Sequence, residues 1–383
     1  MIYFDNAATT PLLPEVIDKM SETMKTTFGN PSSLHAHGRM ASKLLRESRE
    51  QIAQSLHTLP NRIFFTSGGS ESNNTVIKGY CLKHQADGKH IITTALEHHA
   101  VLEPIEYLVE RFGFEVTIVQ PRDGRIQASD IKAALRPDTI LVSTMFANNE
   151  TGDLLPIKEI GEFLKDHPAA FHVDAVQAIG KVPVYPEELG IDFLSASAHK
   201  FHGPKGVGFL YINEKVKIQS IIFGGGQQRG MRSGTENVPG IAGLAKACEE
   251  MYLNLEGDVN RLYALKEMFI EGVMQLDGVQ VNGLTGRDSA PHVISVSFRG
   301  VRSEVLLHAL EERGIYVSSG SACSSNKPGT AASATLRAIG LDKELMGSTL
   351  RFSMSVFTTE EEIRYTLNAL YEIVPMLRRF TRR

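Results

Sequence analysis

The chain has 383 residues, of which 42% are hydrophobic and 22% are charged, with a net charge of -4 at pH 7. This length suffices for a large core and favours two domains over one, and the composition is that of a globular protein rather than a disordered one. The slightly acidic balance provides no general attraction to nucleic-acid backbones or anionic lipids, so we expect no direct nucleic-acid binding and no membrane association. A small-molecule substrate is favoured instead.

The N-terminal stretch MIYFDNAATT has Asp5 and Asn6 where a secretion signal would have an unbroken apolar run. No apolar run of about 18 residues follows, so the sequence predicts a cytoplasmic protein. The three cysteines, Cys81, Cys248 and Cys323, form no Cys-x-x-Cys pair and no zinc-like spacing. This spacing indicates reduced thiols and no metal site.

A helix with apolar residues at helical period is predicted between Met40 and Leu56. From residue 60 to about residue 215, short β-rich runs then alternate with helical stretches. The runs are RIFFTSG, HIITTALEH, FEVTIVQ, TILVSTMFANN, AFHVDAVQ, DFLSASAHK and GVGFLYINE. Amphipathic segments such as PIKEIGEFLKDH separate several of them, which predicts an α/β fold with a mostly parallel central sheet and helices on both faces.

The rest of the chain predicts a smaller α+β domain. Pro239 begins a helical stretch to about Leu276, which could link two domains. The runs GVQVNG, HVISVSFRG, IYVSSGSAC and TLRFSMSV follow, and the last helix begins at TTEEE, where Thr359 and Glu362 fit a capping box. We expect a large domain over residues 15-258 and a small domain formed by residues 1-14 and 259-383.

The stretch TSGGSESNN follows the apolar run Ile63 to Phe65 and precedes the helical VIKGYCLKH. Small residues that lead into a helix N-terminus leave backbone N–H groups suited to a phosphate. The stretch lacks the Walker lysine and the GxGxxG spacing, which disfavours an NTPase or a dinucleotide-binding protein. Taken alone, it could equally be an ordinary strand-to-helix turn.

Two further polar residues follow strands of the same predicted sheet. Asp174 ends the strand in FHVDAVQ, where it could cap a helix or hold a protonated ring nitrogen. Lys200 ends another strand in SASAHKFHGPKG, where α/β sheets bind ligands, although a single lysine is more often solvated. A phosphate site, an acid and a lysine in this order are what pyridoxal 5'-phosphate (PLP) requires, so the sequence predicts a PLP enzyme. EHHAV adds His98 and His99, one of which we expect to stack on the ring.

Over nearly its whole length the sequence resembles the NifS/IscS-type cysteine desulfurases, in the class V group of fold-type I aminotransferases. The matching stretches are YFDNAATTP, FGNPSSLHAHGR, FTSGGSESNN, EHHAVLEP, NNETG, HVDAVQ, SAHKFHGPKGVG, GMRSGTENV, SSGSAC and LRFS. The resemblance implies conversion of L-cysteine to L-alanine, with the sulfur held on an enzyme cysteine as a persulfide. An acceptor protein would then take the sulfur for iron–sulfur cluster assembly, thiamine synthesis or tRNA thiolation.

The same resemblance implies roles for individual residues around the cofactor ring. Lys200 would hold the cofactor covalently, His98 would stack on it, and Asp174 would meet the pyridinium nitrogen. Gln177 would contact the phenolic oxygen. Asn149 would lie near both the ring and the substrate.

The resemblance also implies a phosphate site and a carboxylate site. The phosphate would be bound by Gly69, Ser70, Ser197, His199 and, from the other subunit of a homodimer, Thr235. Arg351 in LRFS would bind the substrate carboxylate, for which the guanidinium fork is well shaped, although an isolated arginine is more often on the surface.

In that family the cysteine of SSGSAC, here Cys323, is the nucleophile. Cys81 and Cys248 have the helical spacing of core residues, whereas Cys323 has small neighbours typical of a mobile loop, at about residues 318-335. Roughly eight flexible residues on one side give a reach near 15 Å. A free thiol is only a few per cent thiolate at pH 7, so the attack needs a base or a lowered pKa, and His98 is the candidate helper.

Several alternatives stay open at the level of sequence. A selenocysteine lyase is a close alternative that the sequence does not distinguish, and a class V transaminase would share the residues of the cofactor but would not need the thiol. A catalytically silent scaffold on this fold is disfavoured by the intact Lys200, Asp174, His98 and Arg351. The chain also departs from the family pattern at Ser70, where Thr is common, and at Gln228, where Glu is usual.

Overall fold

The computed structural model describes residues 1–319 and 333–380. The helices of this part are α1 (Pro14–Thr26), α2 (Ala36–Ser55), α3 (Gly69–Lys83), α4 (His99–Phe112), α5 (Ala128–Ala133), α6 (Ile157–Leu164), α7 (Val238–Leu253), α8 (Leu255–Val273), α9 (Ser303–Glu311), α10 (Ala334–Ala338), α11 (Lys343–Met346) and α12 (Glu360–Phe380). The strands are β1 (Ile2–Tyr3), β2 (Ile63–Thr66), β3 (His90–Thr94), β4 (Glu115–Val119), β5 (Thr139–Met145), β6 (Ala170–Asp174), β7 (Phe193–Ser197), β8 (Gly208–Ile212), β9 (Val279–Asn282), β10 (Val293–Phe298), β11 (Ile315–Tyr316) and β12 (Thr349–Ser353). Cys323 and most of its predicted loop lie outside the described residues.

Seven strands form the large sheet, in the order β2-β8-β7-β6-β5-β3-β4. Strands β4, β3, β5, β6 and β7 run parallel to one another, whereas β8 is antiparallel to both β7 and β2. The prediction of a mostly parallel sheet is therefore confirmed. All seven residues of β5 are buried, as expected where both faces of a parallel sheet are covered.

Consecutive strand residues pack into cores on opposite faces of the sheet, because side chains alternate along a strand. Leu141 and Phe193 join one core, against α3 and α4, whereas Val142 and Leu194 join the other. That second core includes residues of α2 and α7. Helices thus cover both faces, as the sequence predicted.

A smaller unit surrounds a three-stranded antiparallel sheet of order β12-β10-β9 and a parallel pair, β1 with β11. Its core includes Phe4, Phe269 and Phe352, and thus joins the first residues of the chain to the last third. This matches the predicted smaller α+β domain, whereas the exact domain bounds, 15-258 against 1-14 and 259-383, stay a prediction.

The long helical stretch predicted from Pro239 is two helices rather than one. Asn254 separates α7 from α8 and has φ -132 and ψ 34, outside the helical region. Asparagine tolerates this position because its side chain bonds nearby polar groups, in this chain Asp258 Oδ1 at 3.4 Å. The capping box of α12 is confirmed: Thr359 N donates to Glu362 Oε2 at 3.0 Å, and Glu362 N donates to Thr359 Oγ1 at 3.2 Å.

Candidate active site

Lys200 follows β7 in a short 3-10 turn, Ala198–Lys200, at the carboxyl edge of the parallel strands. Its Nζ donates to the backbone oxygens of Ala7 and Ala8, at 2.8 Å each. The side-chain amide of Gln177 reaches the same place, because Nε2 donates to Ala7 O at 2.9 Å. Two residues predicted for the site thus meet at one carbonyl oxygen of the N-terminal segment.

Asp174 ends β6, next to β7, and is buried. Its Oδ2 accepts a hydrogen bond of 2.7 Å from Asn73 Nδ2, and its Oδ1 accepts one of 3.0 Å from Val176 N. These donors fix the orientation of the carboxylate. Asn73 lies on α3 and was not predicted as a site residue, although it lies in TSGGSESNN.

The start of α3 lies against the ends of β6 and β7. Gly68, the residue before α3, makes no side-chain capping bond and has φ 142, a conformation suited to glycine. A Cβ added to Gly68 would lie 3.2 Å from Ser197 Oγ, and one added to Gly69 would lie 2.5 Å from Val176 Cγ2. The glycines therefore bring the helix N-terminus close to Ser197, and Ser70 is exposed beside them.

His199 is held between Lys200 and the N-terminal segment. Its Nδ1 lies 3.2 Å from Thr9 Oγ1, and its backbone oxygen accepts from Thr10 N at 2.9 Å. Burial, followed by the charges of Lys200, Lys205 and Lys181, lowers the pKa of His199 to about 4. The imidazole is therefore neutral at physiological pH and can donate one N–H to an anion.

The structure distinguishes His98 from His99. His98 Nδ1 accepts a hydrogen bond of 3.0 Å from Ala100 N at the start of α4, so the neutral ring carries its proton on Nε2. The side chain of His99 is 52% exposed and lies 3.8 Å from Glu103 Oε1. His98 is half-buried at the start of α4, and its expected stacking on the cofactor ring stays a prediction.

Arg351 lies on β12 and is 3% exposed. An isolated arginine would more often lie on the surface. Its Nη2 lies 2.7 Å from Asp5 Oδ1, and its Nη1 donates to Asn149 O at 2.9 Å. The predicted residues Arg351 and Asn149 are thus adjacent. Asp5 was missed as a partner, although it stands in the motif YFDNAATTP.

Thr235 is exposed and lies three residues after Arg232. Arg232 Nε and Nη2 donate to the two carboxylate oxygens of Glu71 at 2.9 and 3.2 Å. Burial alone would raise the pKa of Glu71, but the bonds from Arg232 and Ser67 outweigh it and lower the pKa. The segment before Thr235 is thereby fixed to the start of α3 in the same chain.

Gln228, where the family usually has Glu, keeps an arginine partner. Its Oε1 accepts from Arg49 Nη2 and from Phe65 N, at 3.0 Å each. Its Nε2 donates to Glu236 Oε1 at 3.3 Å. Gln228 therefore makes three hydrogen bonds at this position without carrying a negative charge.

The other two cysteines are buried, as their spacing predicted. Burial raises the pKa of Cys81, and it raises the pKa of Cys248 to about 12. Neither thiol forms appreciable thiolate at neutral pH, so neither is suited to be a nucleophile. The predicted nucleophile, Cys323, lies outside the part of the chain that the structure describes.

A buried carboxyl group next to His98 was not predicted from the sequence. Glu97 Oε1 accepts from Thr94 Oγ1 at 2.6 Å. Burial, and to a smaller extent the charge of Asp174, raises the pKa of Glu97 to about 8 although two hydrogen bonds oppose the shift. Glu97 is therefore largely protonated at neutral pH.

Comparison with known proteins agrees with this arrangement. The family model "Aminotransferase class-V" matches residues 2–366. The cysteine desulfurase IscS of Dictyoglomus turgidum is 46% identical over 379 residues, which cover 98% of this chain and 95% of that protein. Among solved structures, a NifS-like protein has a TM-score of 0.91 at 38% identity, covering 98% of this chain and 99% of that one. SspA in complex with cysteine has a TM-score of 0.81 at 33% identity, covering 94% and 100%.

The chain belongs to the class-V aminotransferases, and within them to the IscS/NifS group of cysteine desulfurases, which are PLP-dependent. The residues present fit the cofactor. Gly68 and Gly69 let the start of α3, with its backbone N–H groups, pack close to Ser197 and Val176, where a Cβ would intrude. Asp174 offers an oriented carboxylate, and Lys200 offers an amine at the same sheet edge.

No helix in residues 1–319 or 333–380 is long and apolar enough to cross a membrane.

Proposed function

We propose that this chain takes sulfur from L-cysteine, releases L-alanine and holds the sulfur as a persulfide on Cys323 before an acceptor protein receives it. One observation carries the proposal. Lys200 and Arg351 converge on the same N-terminal segment, Lys200 through Ala7 and Ala8 and Arg351 through Asp5. An amine for the cofactor and a guanidinium for an amino-acid carboxylate therefore contact positions only a few residues apart.

The proposal assigns each expected contact with PLP to a residue of this chain. Lys200 would hold it covalently, Asp174 would keep its ring nitrogen protonated, and Gln177 would donate to its phenolic oxygen. The phosphate would be bound at the start of α3 by Gly69, Ser70, Ser197 and His199, with Thr235 from a second subunit of a homodimer. The cofactor supplies an electron sink for the carbanion that forms at the substrate Cα.

The chain's own groups bind the substrate and move its protons. Arg351 binds the carboxylate with two parallel N–H donors, next to Asn149. The amine of Lys200 would accept the proton from the substrate Cα. His98, whose Nδ1 accepts from Ala100 N, would stack on the cofactor ring and is the candidate helper for the Cys323 thiol.

The sulfur transfer needs no outside oxidant. The Cys323 thiolate attacks the substrate sulfur, so that a new S–S bond forms while the Cβ–S bond breaks. The electron pair of that bond stays on the substrate carbon, which takes up a proton and becomes the methyl group of alanine. The product on Cys323 is a persulfide, a reversible sulfur carrier.

Two observations on related proteins support L-cysteine as the substrate and a protein as the sulfur acceptor. The related SspA structure, 33% identical, was solved in complex with cysteine. An acceptor protein accords with the IscS relatives, and iron–sulfur clusters, thiamine and tRNA thiolation are the candidate destinations. We place the enzyme in the cytoplasm.

The test is alanine formation from L-cysteine with a thiol reductant, with the visible spectrum of the cofactor recorded in parallel. Wild type is compared with Cys323→Ala and with Cys81→Ala, a buried cysteine that has no part in the proposed chemistry. The proposal expects Cys323→Ala to keep the cofactor spectrum but to form no alanine, while Cys81→Ala forms alanine. Equal alanine formation by wild type and Cys323→Ala would favour a lyase that releases the sulfur without a persulfide on Cys323. Faster turnover of selenocysteine than of cysteine would favour a selenocysteine lyase.

A further inference from the structure

The amide of Gln177 is held at both ends. Its Nε2 donates to Ala7 O at 2.9 Å, beside Lys200 Nζ, which donates to the same oxygen. On its other side Oε1 accepts from Lys181 Nζ and from His292 Nε2, at 3.3 Å each. Neither Lys181 nor His292 is used in the proposed reaction.

Both of these nitrogen donors are deeply buried. Lys181 is 5% exposed and His292 is 1% exposed. Burial, then the charges of Lys200 and Arg351, lowers the pKa of Lys181. Burial lowers the pKa of His292 as well, and so do the charges of Lys181, Lys266, Arg351 and Lys200. Burying two ionisable groups among cations is costly, so their placement calls for a reason beyond packing.

His292 is specialised for the bond to Gln177. Its Nδ1 is buried and has no hydrogen-bond partner within residues 1–319 and 333–380. A neutral imidazole with its proton on Nε2 accounts for the contact with Gln177 and for the unpartnered Nδ1. Its Nε2 then donates to Gln177 Oε1, and its Nδ1 carries no proton. His292 lies just before β10, in the smaller unit, whereas Gln177 follows β6 in the large sheet.

A glutamine amide has two orientations that exchange its oxygen and its nitrogen. In the observed orientation, Oε1 faces the two donors and Nε2 faces a carbonyl oxygen. The reversed orientation would set Oε1 against Ala7 O, and because both oxygens only accept, that hydrogen bond would be lost. It would also turn Nε2 toward Lys181 and His292, which are donors in the observed arrangement. Nε2 has two N–H groups, and Ala7 O uses one of them.

We propose that Lys181 and His292 are positioning residues that fix the Gln177 amide with Nε2 toward Lys200, so that its second N–H is available to the cofactor oxygen. The inference rests on the proposed function, in which Gln177 contacts the phenolic oxygen of PLP. The fixed N–H stabilises the ionised form of that oxygen, because a hydrogen bond to the charged form favours it. Losing the donors on Oε1 frees the amide to rotate and weakens this stabilisation.

The test is a pH titration of the visible absorbance of the holoenzyme. The variants are Lys181→Met, which keeps the stem of the side chain, and His292→Leu, with Gln177→Leu as the reference. We expect both variants to move the titration midpoint in the direction of Gln177→Leu, by up to about one pH unit. His292→Gln, whose Nε2 can replace the lost donor, should restore the wild-type midpoint.

Lys266→Met is the matched control. Lys266 is also a buried lysine, 3% exposed, but its Nζ donates to Ser289 Oγ and Ala290 O at 2.8 Å each. Its removal should lower stability without moving the midpoint. Equal shifts of the titration midpoint in Lys266→Met and Lys181→Met would overturn the inference, because the loss of any buried lysine would then be enough to move the midpoint.

The outcomes separate this inference from the proposed function. A shift in Gln177→Leu without one in Lys181→Met and His292→Leu overturns the positioning role. If Gln177→Leu itself leaves the midpoint unchanged, Gln177 does not have the role that the proposed function gives it. A crystal structure of Lys181→Met then tests whether Lys181 positions the Gln177 amide. A displaced or rotated Gln177 amide in that variant supports the inference, and an unmoved amide overturns it.

Discussion

Arg351 and Asp5 form a partly buried ion pair across 346 residues of sequence, with 2.7 Å between Nη2 and Oδ1. The pair holds the guanidinium at the place where the substrate carboxylate is expected. Asp5 also follows β1, so the pair ties the first strand of the smaller unit to β12. Loss of the Asp5 charge should therefore affect substrate binding.

We expect Asp5→Asn to raise the KM for L-cysteine about tenfold and to change kcat little, because Asp5 orients the guanidinium that is proposed to bind the substrate carboxylate. Steady-state kinetics measure both constants. Glu372→Gln is the control, since it removes an exposed partner 3.0 Å from Arg313 and should leave both constants unchanged. A lower KM in Asp5→Asn would mean instead that Asp5 competes with the substrate for Arg351.

Gly68→Ala should weaken cofactor binding. The φ of 142 at Gly68 costs a residue with a Cβ about 1–3 kcal/mol, and the Cβ would also lie 3.2 Å from Ser197 Oγ. The free energy of unfolding and the Kd for the cofactor measure the two effects. Gly314→Ala, at φ 72 with open space around its Cβ, should lower stability by about 1 kcal/mol and leave the Kd unchanged. An unchanged Kd in Gly68→Ala would argue against a phosphate site at this turn.

Iodoacetamide should alkylate the native protein only at Cys323. Cys81 and Cys248 are buried, and burial raises the pKa of both thiols, so they lack both access and thiolate. Mass spectrometry should find one modified cysteine in the native protein and all three in denaturant. The Cys323→Ala variant is the control and should remain unmodified when native. Rapid modification of Cys248 in the native protein would contradict its burial in the core.

Glu97→Gln should become more stable relative to wild type as the pH rises. Burial raises the pKa of Glu97 to about 8, so the native state keeps a proton that the unfolded state loses above about pH 4.5. The wild type therefore loses stability between about pH 4.5 and 8, by up to about 1.4 kcal/mol per pH unit, and the glutamine variant does not.

Thermal unfolding from pH 5 to pH 8 measures this effect as a growing difference in Tm between Glu97→Gln and wild type. Glu106→Gln removes an exposed carboxylate of α4 and should follow the wild type at every pH. A constant difference between Glu97→Gln and wild type would show that Glu97 is ionised in the native state.

The strands, the capping box and the order of site residues along the sheet could be predicted because each depends on local sequence. Alternating β-rich and amphipathic runs specify a parallel sheet, and its topology brings Asp174 and Lys200 to one edge. The resemblance to a family added Arg351 and Asn149, which the structure places side by side.

The contacts that orient these residues could not be predicted, because they pair distant positions or use backbone atoms. Asn73 and Asp174 are 101 residues apart, and the sequence around each residue does not indicate that the other is its partner. Ala7 contributes only its carbonyl oxygen, which every residue has, so its role with Lys200 leaves no signal in composition or spacing. The break at Asn254 depends on a single residue within a strongly helical pattern.

The N-terminal segment around Asn6 and Ala7 also determines when the site can assemble during synthesis of the chain. Ala7 O accepts from Lys200, while Ala7 N donates to Ser353 Oγ at 2.8 Å and Asn6 Nδ2 donates to Ser353 O at 2.9 Å. The segment leaves the ribosome before β12 but acquires its partners on β12 only after that strand has been made. The large sheet can form earlier, so we expect cofactor capture to be a late step in biogenesis, which follows the synthesis of β12.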